Sequence, residues 1–130
     1  PANGEGGERR QYPIFVSRYI VKWTREGFAS ALVHEIVHGV QHEEGRLRRW
    51  SRRDLECEAS LHQERALQAF GVDKRSEQSV VHRRVLQLRA CVPFIHWMET
   101  NAPDEMALWG TLNPDVPRLL AIFDAYAGAR

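Results

Sequence analysis

The sequence predicts a mainly α-helical domain of four to five helices with a small β element near its N-terminus, an α+β fold dominated by helix packing. Three observations support this prediction. Apolar residues recur at helical spacing through most of the chain, glycines and prolines stand where such segments end, and β-branched and aromatic residues concentrate in one early run. The length of 130 residues is that of one domain with a real core.

The composition excludes several classes of protein. With 43% hydrophobic and 27% charged residues, the chain is close to the globular average and unlike a collagen-like or disordered sequence. No stretch approaches the roughly 18–20 consecutive apolar residues of a membrane-spanning helix. The 18 Lys and Arg residues nearly balance the 17 Asp and Glu residues, so no general attraction to nucleic acid or anionic lipid is expected. We expect a soluble protein, and both a cytoplasmic and a secreted location stay open.

The N-terminal part divides into two segments. Residues 1–11 carry three glycines and four charges, which predicts a flexible lead-in before a single domain over 12–130. The following run is rich in β-branched and aromatic residues, which favours a short strand over 13–17. Helical spacing also occurs in this run, so the structure of 18–23 stays open. Because the chain starts at Pro1, we expect a processed or excised product, with an upstream domain or partner.

The first predicted helix spans 26–42, with Thr24 as its N-cap and Gly45 as the residue that ends it. At about 100° per residue, its apolar side chains fall on one side and a polar group falls on the other. The apolar side holds Ala29, Leu32, Val33, Ile36 and Val40, and the polar side holds His34, Glu35, His38 and His42. Because few of these residues suit solvent, we expect the helix to be largely buried.

The other helices are marked by their end signals. A second helix spans 55–70, capped by Asp54 and ended by Gly71. A third opens over 73–79 and runs to about residue 91, and Pro93 breaks it before a continuation through Met98. A short helix covers 104–110. A final amphipathic helix, stopped by Gly128, carries Leu119, Leu120, Phe123 and Tyr126.

The segment 44–53 between the first two helices contains five arginines and Trp50. The arginines of such a loop can bind the phosphate groups of a nucleic acid while an aromatic ring stacks on a base. The nearly neutral charge of the chain favours the alternative, a solvated loop, so a nucleic-acid partner is not expected.

The two cysteines, Cys57 and Cys91, are too few for a disulfide framework and form no CxxC motif. One bridge between them and two reduced, buried thiols are both compatible with the sequence. For Cys57 we prefer a buried structural thiol, and the redox compartment stays open.

The most informative motif is HExxH, formed by His34, Glu35 and His38. Two histidines at i and i+4 project from one face of a helix, so both imidazoles reach a single Zn²⁺ ion. Glu35 lies beside that face, where it can take a proton from water. The alternative reading is a pair of hydrogen-bonded core histidines. The apolar setting makes such a polar cluster costly unless a metal compensates it.

A catalytic zinc ion takes three protein ligands and one water, so a third ligand is expected from another helix. The second predicted helix offers Glu56 and Glu58 at a suitable distance along the chain. Glu58 shares the more buried side with Leu61 and His62, whereas Glu56 aligns with more polar residues. We therefore prefer Glu58 as the ligand and keep Glu56 as the alternative.

These two segments resemble the gluzincin clan of zinc metallopeptidases. ALVHEIVHGVQHEEG at 31–45 is similar to the HExxHxxQ variety of small bacterial zincins. LECEASL at 55–61 resembles their E-x-E-A glutamate helix, whose second Glu is the ligand, which carries over onto Glu58. Over residues 28–66 the resemblance implies a reduced zincin-like fold in which the HExxH helix packs on a glutamate helix. It also implies zinc, peptide-bond hydrolysis and an edge strand for the substrate, for which 13–17 is the candidate.

Several other residues have both a functional and a structural interpretation. His62, one turn beyond Glu58, is a candidate catalytic residue that donates to an oxyanion or orients Glu58. His42 is either an auxiliary metal contact or, as we prefer, a polar helix end. The tyrosines are further oxyanion candidates, most of which we expect to be packing residues: Tyr12, Tyr19 and Tyr126. His82 and His96 are expected on helix surfaces or at the edges of the core.

The sequence thus predicts a zinc metallopeptidase with a protein or peptide substrate. His34, His38 and Glu58 would bind zinc, and Glu35 would act as the general base with support from His62. The alternative is a catalytically inactive zincin-like module that binds a metal or a protein.

Overall fold

The computed structural model describes residues 24–110 and 115–129, and within these ranges the chain is helical and contains no strand. The mainly helical prediction is confirmed, whereas the lead-in 1–11 and the strand 13–17 lie outside the described residues. The single-domain organisation stays a prediction. The six α-helices, with a short 3₁₀ turn and a π-helical segment between them, are α1 Arg25–Glu43, the 3₁₀ turn Arg46–Arg48, α2 Arg52–Ala69, α3 Glu77–Val85, the π-helical segment Leu86–Ala90, α4 Val92–Asn101, α5 Pro103–Gly110 and α6 Val116–Gly128.

The ends of the first two helices follow local capping chemistry. Thr24 caps α1 as expected, because its Oγ1 accepts a hydrogen bond from the Gly27 amide at 3.0 Å. The α2 helix begins three residues before its predicted start, because Ser51 is the cap and accepts from the Asp54 amide at 3.1 Å. At the other end, Gly71 adopts a positive φ of 79°, which is the expected helix-ending conformation.

The expectation that Asp54 caps α2 is therefore wrong, and its side chain instead contacts Tyr126 of α6. Its side chain is buried, and Oδ1 accepts a hydrogen bond of 2.6 Å from the Tyr126 hydroxyl. This contact joins the first turn of α2 to the last turn of α6. Tyr126, one of the oxyanion candidates, is accordingly a core residue with a satisfied hydroxyl.

The hydrophobic core lies on the face of α2 opposite α1 and is closed by the π-helical segment, α4, α5 and α6. Aromatic rings fill much of it, with Phe94 and Phe123 in edge-to-face contact at 5.1 Å. Its fully buried members are Cys57, Leu61, Leu86, Cys91, Phe94, Met98, Trp109, Leu119, Phe123 and Tyr126. Of the two states left open for the cysteines, the structure has the bridge: Cys57 and Cys91 form a disulfide that links α2 to the end of the π-helical segment, so the preference for a thiol at Cys57 is wrong.

The third predicted helix is interrupted before Pro93. The α3 helix is capped by Ser76 and ends at Val85, and the chain continues as a π-helical turn in which the Cys91 amide donates to the Leu86 carbonyl at 2.8 Å. Pro93 then lies in the first turn of α4, where its missing N–H has no partner to lose. The predicted break at Pro93 is confirmed.

The packing of α1 differs from the prediction of a largely buried helix. Two members of its apolar side, Ile36 and Val40, are 57% and 46% exposed. The buried residues of α1 are instead small or polar: Gly27, Ser30 and Gln41. A Cβ atom at Gly27 would overlap the end of the Gln78 side chain, so the glycine leaves room for that amide against α1. The polar side of α1 consequently faces α2.

None of the helices in the part of the chain that the structure describes combines the length and apolar character needed to cross a bilayer.

Candidate metal centre

Three ligand atoms from α1 and α2 converge at one point between these helices. His34 and His38 lie one turn apart on α1, and their Nε2 atoms are 3.1 Å from each other. Glu56 of α2 places its Oε1 atom 2.8 Å from His34 Nε2 and 3.2 Å from His38 Nε2. Among residues 24–110 and 115–129, this is the one group of three or more His, Cys, Asp or Glu residues that converges closely enough to hold a metal. We call these three residues the metal cluster.

The metal cluster matches the donor set and the dimensions of a zinc site. Two imidazole nitrogens and one carboxylate oxygen are ligands that zinc accepts at about 2.0–2.2 Å. In a tetrahedral site, bonds of that length separate neighbouring ligand atoms by about 3.3 Å. The three observed separations of 2.8, 3.1 and 3.2 Å are shorter by only a few tenths of an ångström, so small side-chain rotations suffice.

The charges in the metal cluster reinforce one another. Hydrogen bonds from His34 and His38 lower the pKa of the Glu56 carboxyl far below its usual value. The same contact with Glu56 is the largest cause of a raised pKa at His38, which burial partly opposes. These contacts favour the ionised form of Glu56, which is the form that binds a cation.

Gln41 fixes the orientation of His38. Its amide nitrogen donates two hydrogen bonds, to the Leu55 carbonyl at 2.9 Å and to Glu58 Oε1 at 3.0 Å. The amide oxygen must therefore face His38, where it accepts from Nδ1 at 2.8 Å. With the Gln41 oxygen at Nδ1, the neutral imidazole of His38 carries its proton there and offers the Nε2 lone pair to a metal, which would replace the hydrogen bond to Glu56.

Ser60 has the corresponding position beside His34. Its hydroxyl lies 3.4 Å from His34 Nδ1, and the side chain is 5% exposed. Ser60 is one turn beyond Glu56 on α2, so the two side chains share one face of that helix. Glu56 contacts Nε2 of His34, and Ser60 contacts Nδ1 of the same ring. Both imidazoles thus have a polar partner at Nδ1 and present Nε2 to the same point.

Glu58, the preferred third ligand in the sequence analysis, lies outside the metal cluster. It is buried, and its Oε1 accepts hydrogen bonds from Gln41 and from Arg46 Nη1. Positions 56 and 58 are about 200° apart around a helix, so only one of them can face the histidines. The structure brings the alternative residue, Glu56, to that face. Glu58 as a ligand stays a prediction that this geometry does not favour, because its burial comes from pairing with Arg46 and Gln41.

Glu35 lies at the edge of the metal cluster in an open groove. The groove has a volume of about 800 Å³, and its walls include Glu35, His38 and Glu56. It also includes the exposed apolar side chains Ile36 and Val40 of α1. Glu35 is close enough to His38 to raise the pKa of that imidazole. We call this cavity the apolar groove.

His62 is not brought to the metal cluster. Its Nδ1 lies 3.2 Å from Arg65 Nη2, which identifies Nδ1 as an acceptor, and it lines neither cavity beside the metal cluster. Burial, reinforced by the charge of Arg65, lowers the pKa of His62.

Among the remaining candidates, His42 is exposed and lines the apolar groove. Tyr12 and Tyr19 lie outside the described residues.

A second cavity on the other side of the metal cluster is bordered by a histidine–glutamate pair that no sequence motif indicates. It has a volume of about 560 Å³ and includes His34, Glu56 and His82 in its walls. His82 is held by Glu64, whose Oε1 accepts from Nδ1 at 2.8 Å. The two residues are 18 positions apart on different helices, so no local spacing indicates the pair. Gln41 did leave a signal, because HExxHxxQ places it one turn beyond His38.

Comparisons of the chain with family models, curated proteins and solved structures find no match. The resemblance to gluzincins therefore stays a prediction that rests on residues 28–66 alone.

Proposed function

We propose that this chain is a zinc-dependent metallopeptidase that hydrolyses peptide bonds. The observation that carries the proposal is the convergence of His34, His38 and Glu56 beside a groove that also contains Glu35. Three protein ligands next to open space are typical of catalytic zinc sites, whereas structural sites enclose the metal with four.

His34, His38 and Glu56 would hold the metal. When bound, zinc supplies a Lewis acid that polarises a substrate carbonyl and makes water more acidic. Gln41 and Ser60 keep the two imidazoles oriented toward it, and their position behind the ligands is where zinc enzymes place such supporting groups.

Glu35 would move the proton in this reaction. Its carboxylate takes a proton from the attacking water as the water oxygen bonds to the carbonyl carbon. The carbon–nitrogen bond then breaks, and Glu35 delivers the same proton to the leaving amine nitrogen. Its place in the apolar groove gives it access to a substrate, which a buried carboxylate would lack.

The test is the variant Glu35→Gln, which keeps the size of the side chain and removes its basicity. We expect one zinc ion per chain in both proteins and cleavage of an unstructured polypeptide that falls by at least about 100-fold in the variant. Glu26→Gln is the matched control, because Glu26 lies in the first turn of the same helix and lines neither cavity beside the metal cluster. Undiminished turnover in Glu35→Gln, or wild-type protein without zinc, would contradict the proposal.

A second candidate function is a catalytically inactive module that binds zinc or a protein partner. It is favoured by the helical character of residues 24–110 and 115–129, which offer no edge strand to an extended peptide. Zinc content does not separate the two functions. Cleavage that is abolished by a chelator and restored by added zinc supports the peptidase, and stoichiometric zinc without any cleavage supports the module.

A further inference from the structure

The cavity on the far side of the metal cluster is rich in cationic side chains. Arg52 and Arg53 reach it from the first turn of α2, and Arg89 reaches it from the π-helical segment. We call it the basic pocket. Its walls are formed by His34, Arg52, Arg53, Glu56, Ser60, Gln63, His82, Val85, Arg89 and Ala90.

The basic pocket adjoins the presumed position of a scissile bond in the function proposed above. It shares His34 and Glu56 with the metal cluster, and it shares Glu56 and Arg52 with the apolar groove. The metal cluster consequently lies between the two cavities. A peptide held across it would place one side of its cleaved bond in the apolar groove and the other side in the basic pocket.

The arginines of the basic pocket have no anionic partner in the described part of the chain. Arg52, Arg53 and Arg89 form no ion pair within 24–110 and 115–129. All three side chains are exposed, so each guanidinium group can reach an anion at the cavity without first breaking an ion pair.

The acidic residues near the basic pocket do not neutralise it. Glu64 is 1% exposed, and it is paired with Arg83 at 3.2 Å and with His82 at 2.8 Å. Glu56 faces His34 and His38 in the metal cluster. Three arginines therefore face a single carboxylate, Glu56, among the residues that line the basic pocket.

We propose that the basic pocket binds a carboxylate of the substrate, so that the enzyme prefers peptides with a carboxylate next to the scissile bond. This inference rests on the proposed peptidase function. Arginine is suited to the task because its planar guanidinium donates two parallel hydrogen bonds to a carboxylate. The carboxylate belongs either to an acidic side chain or to the C-terminus of the peptide.

Matched peptides distinguish these two sources. One pair differs only by Glu or Gln beside the cleaved bond, and a second pair differs only by a free or amidated C-terminus close to that bond. We expect a kcat/KM at least about five-fold higher for the charged member of one pair, mainly through a lower KM. Equal kcat/KM values within both pairs would overturn the proposal and leave the peptidase function intact.

Variants of the basic pocket connect this preference to its residues. Arg53→Gln and Arg89→Gln should each reduce a five-fold preference about two-fold, and the double variant should abolish it, because kcat/KM falls more for the charged peptide than for the neutral one. Arg84→Gln is the control, because Arg84 is exposed on α3 and lines neither cavity beside the metal cluster. A preference that survives in the double variant would overturn the assignment to this pocket.

Equilibrium binding tests the same inference without catalysis. Glu35→Gln protein loaded with zinc should bind the charged peptide more tightly than its neutral partner, and the Arg53→Gln/Arg89→Gln double change should remove the difference. If the wild-type chain cleaves nothing but shows this binding difference, the peptidase function fails and the anionic specificity of the pocket stands. Equal binding of the two peptides, with a single-stranded oligonucleotide bound through the same arginines, would overturn the proposal in favour of phosphate recognition.

Discussion

Replacing Glu56 and Glu58 of α2 in turn tests which of the two binds the metal. Glu56→Gln removes the charged ligand oxygen of the metal cluster and keeps the size of the side chain. Glu58→Gln is the matched change two residues away. It retains an oxygen that can accept from Gln41 and Arg46, and it leaves the three converging atoms in place.

The expected magnitude follows from the number of ligands. Zinc binding to a protein site with four ligands is worth about 10–16 kcal/mol, or roughly 2.5–4 kcal/mol for each ligand. The loss of the Glu56 carboxylate should therefore weaken zinc binding by about 10²- to 10³-fold. For Glu58→Gln we expect a change of no more than about three-fold, because the hydrogen bond that positions Gln41 is preserved.

Zinc affinity can be measured by competition with a chromophoric chelator, and circular dichroism of the metal-free proteins checks that each variant is folded. The two affinities should differ by at least about 30-fold. If Glu58→Gln loses zinc and Glu56→Gln retains it, the metal cluster deduced from the distances between α1 and α2 is refuted. The E-x-E-A resemblance would then have identified the ligand correctly.

Three further predictions follow from individual contacts. Gln41→Leu removes the acceptor of His38 Nδ1, so zinc affinity should fall about 10- to 100-fold in the same competition assay, and unchanged affinity would contradict the orienting role. The Cys57–Cys91 disulfide closes a loop with a sequence separation of 34 and should contribute about 4 kcal/mol. Its reduction should lower the unfolding free energy measured in urea by about that amount, and an unchanged midpoint would contradict the estimate. Burial lowers the pKa of His62 from 6.5, so its contribution to stability is full above that pH and is lost as the pH falls below it. In urea denaturation between pH 5 and 8, His62→Gln should weaken this loss, and an unaltered pH dependence would show that His62 is not its source.

Local signals in the sequence identified much of the helical framework. Thr24, Gly71 and Pro93 mark helix ends through capping, positive φ and a missing N–H, which depend on neighbouring residues only. The approach of His34 to His38 is also local, because i and i+4 side chains share a helix face.

The choice between Glu56 and Glu58 depended on how α2 is rotated toward α1, which no local signal contains. Hydrophobic patterning predicts that the apolar side of α1 is buried, whereas Ile36 is 57% exposed and the polar side packs on α2. The disulfide was undecided for the same reason, because it requires Cys57 and Cys91 to meet across 34 positions, with their Cα atoms 4.7 Å apart.

Glu56 and Glu58 of α2 would have complementary tasks at a metal site. Glu56 would supply a ligand oxygen, and Glu58 accepts from the Gln41 amide nitrogen, so that the amide oxygen faces His38. Without Glu58 the Gln41 amide would lose one of the two acceptors that fix its orientation, and the proton on His38 could move from Nδ1 to Nε2. A protonated Nε2 has no lone pair for a metal. Arg46 in turn neutralises Glu58, so the buried carboxylate is tolerated where it supports the metal cluster.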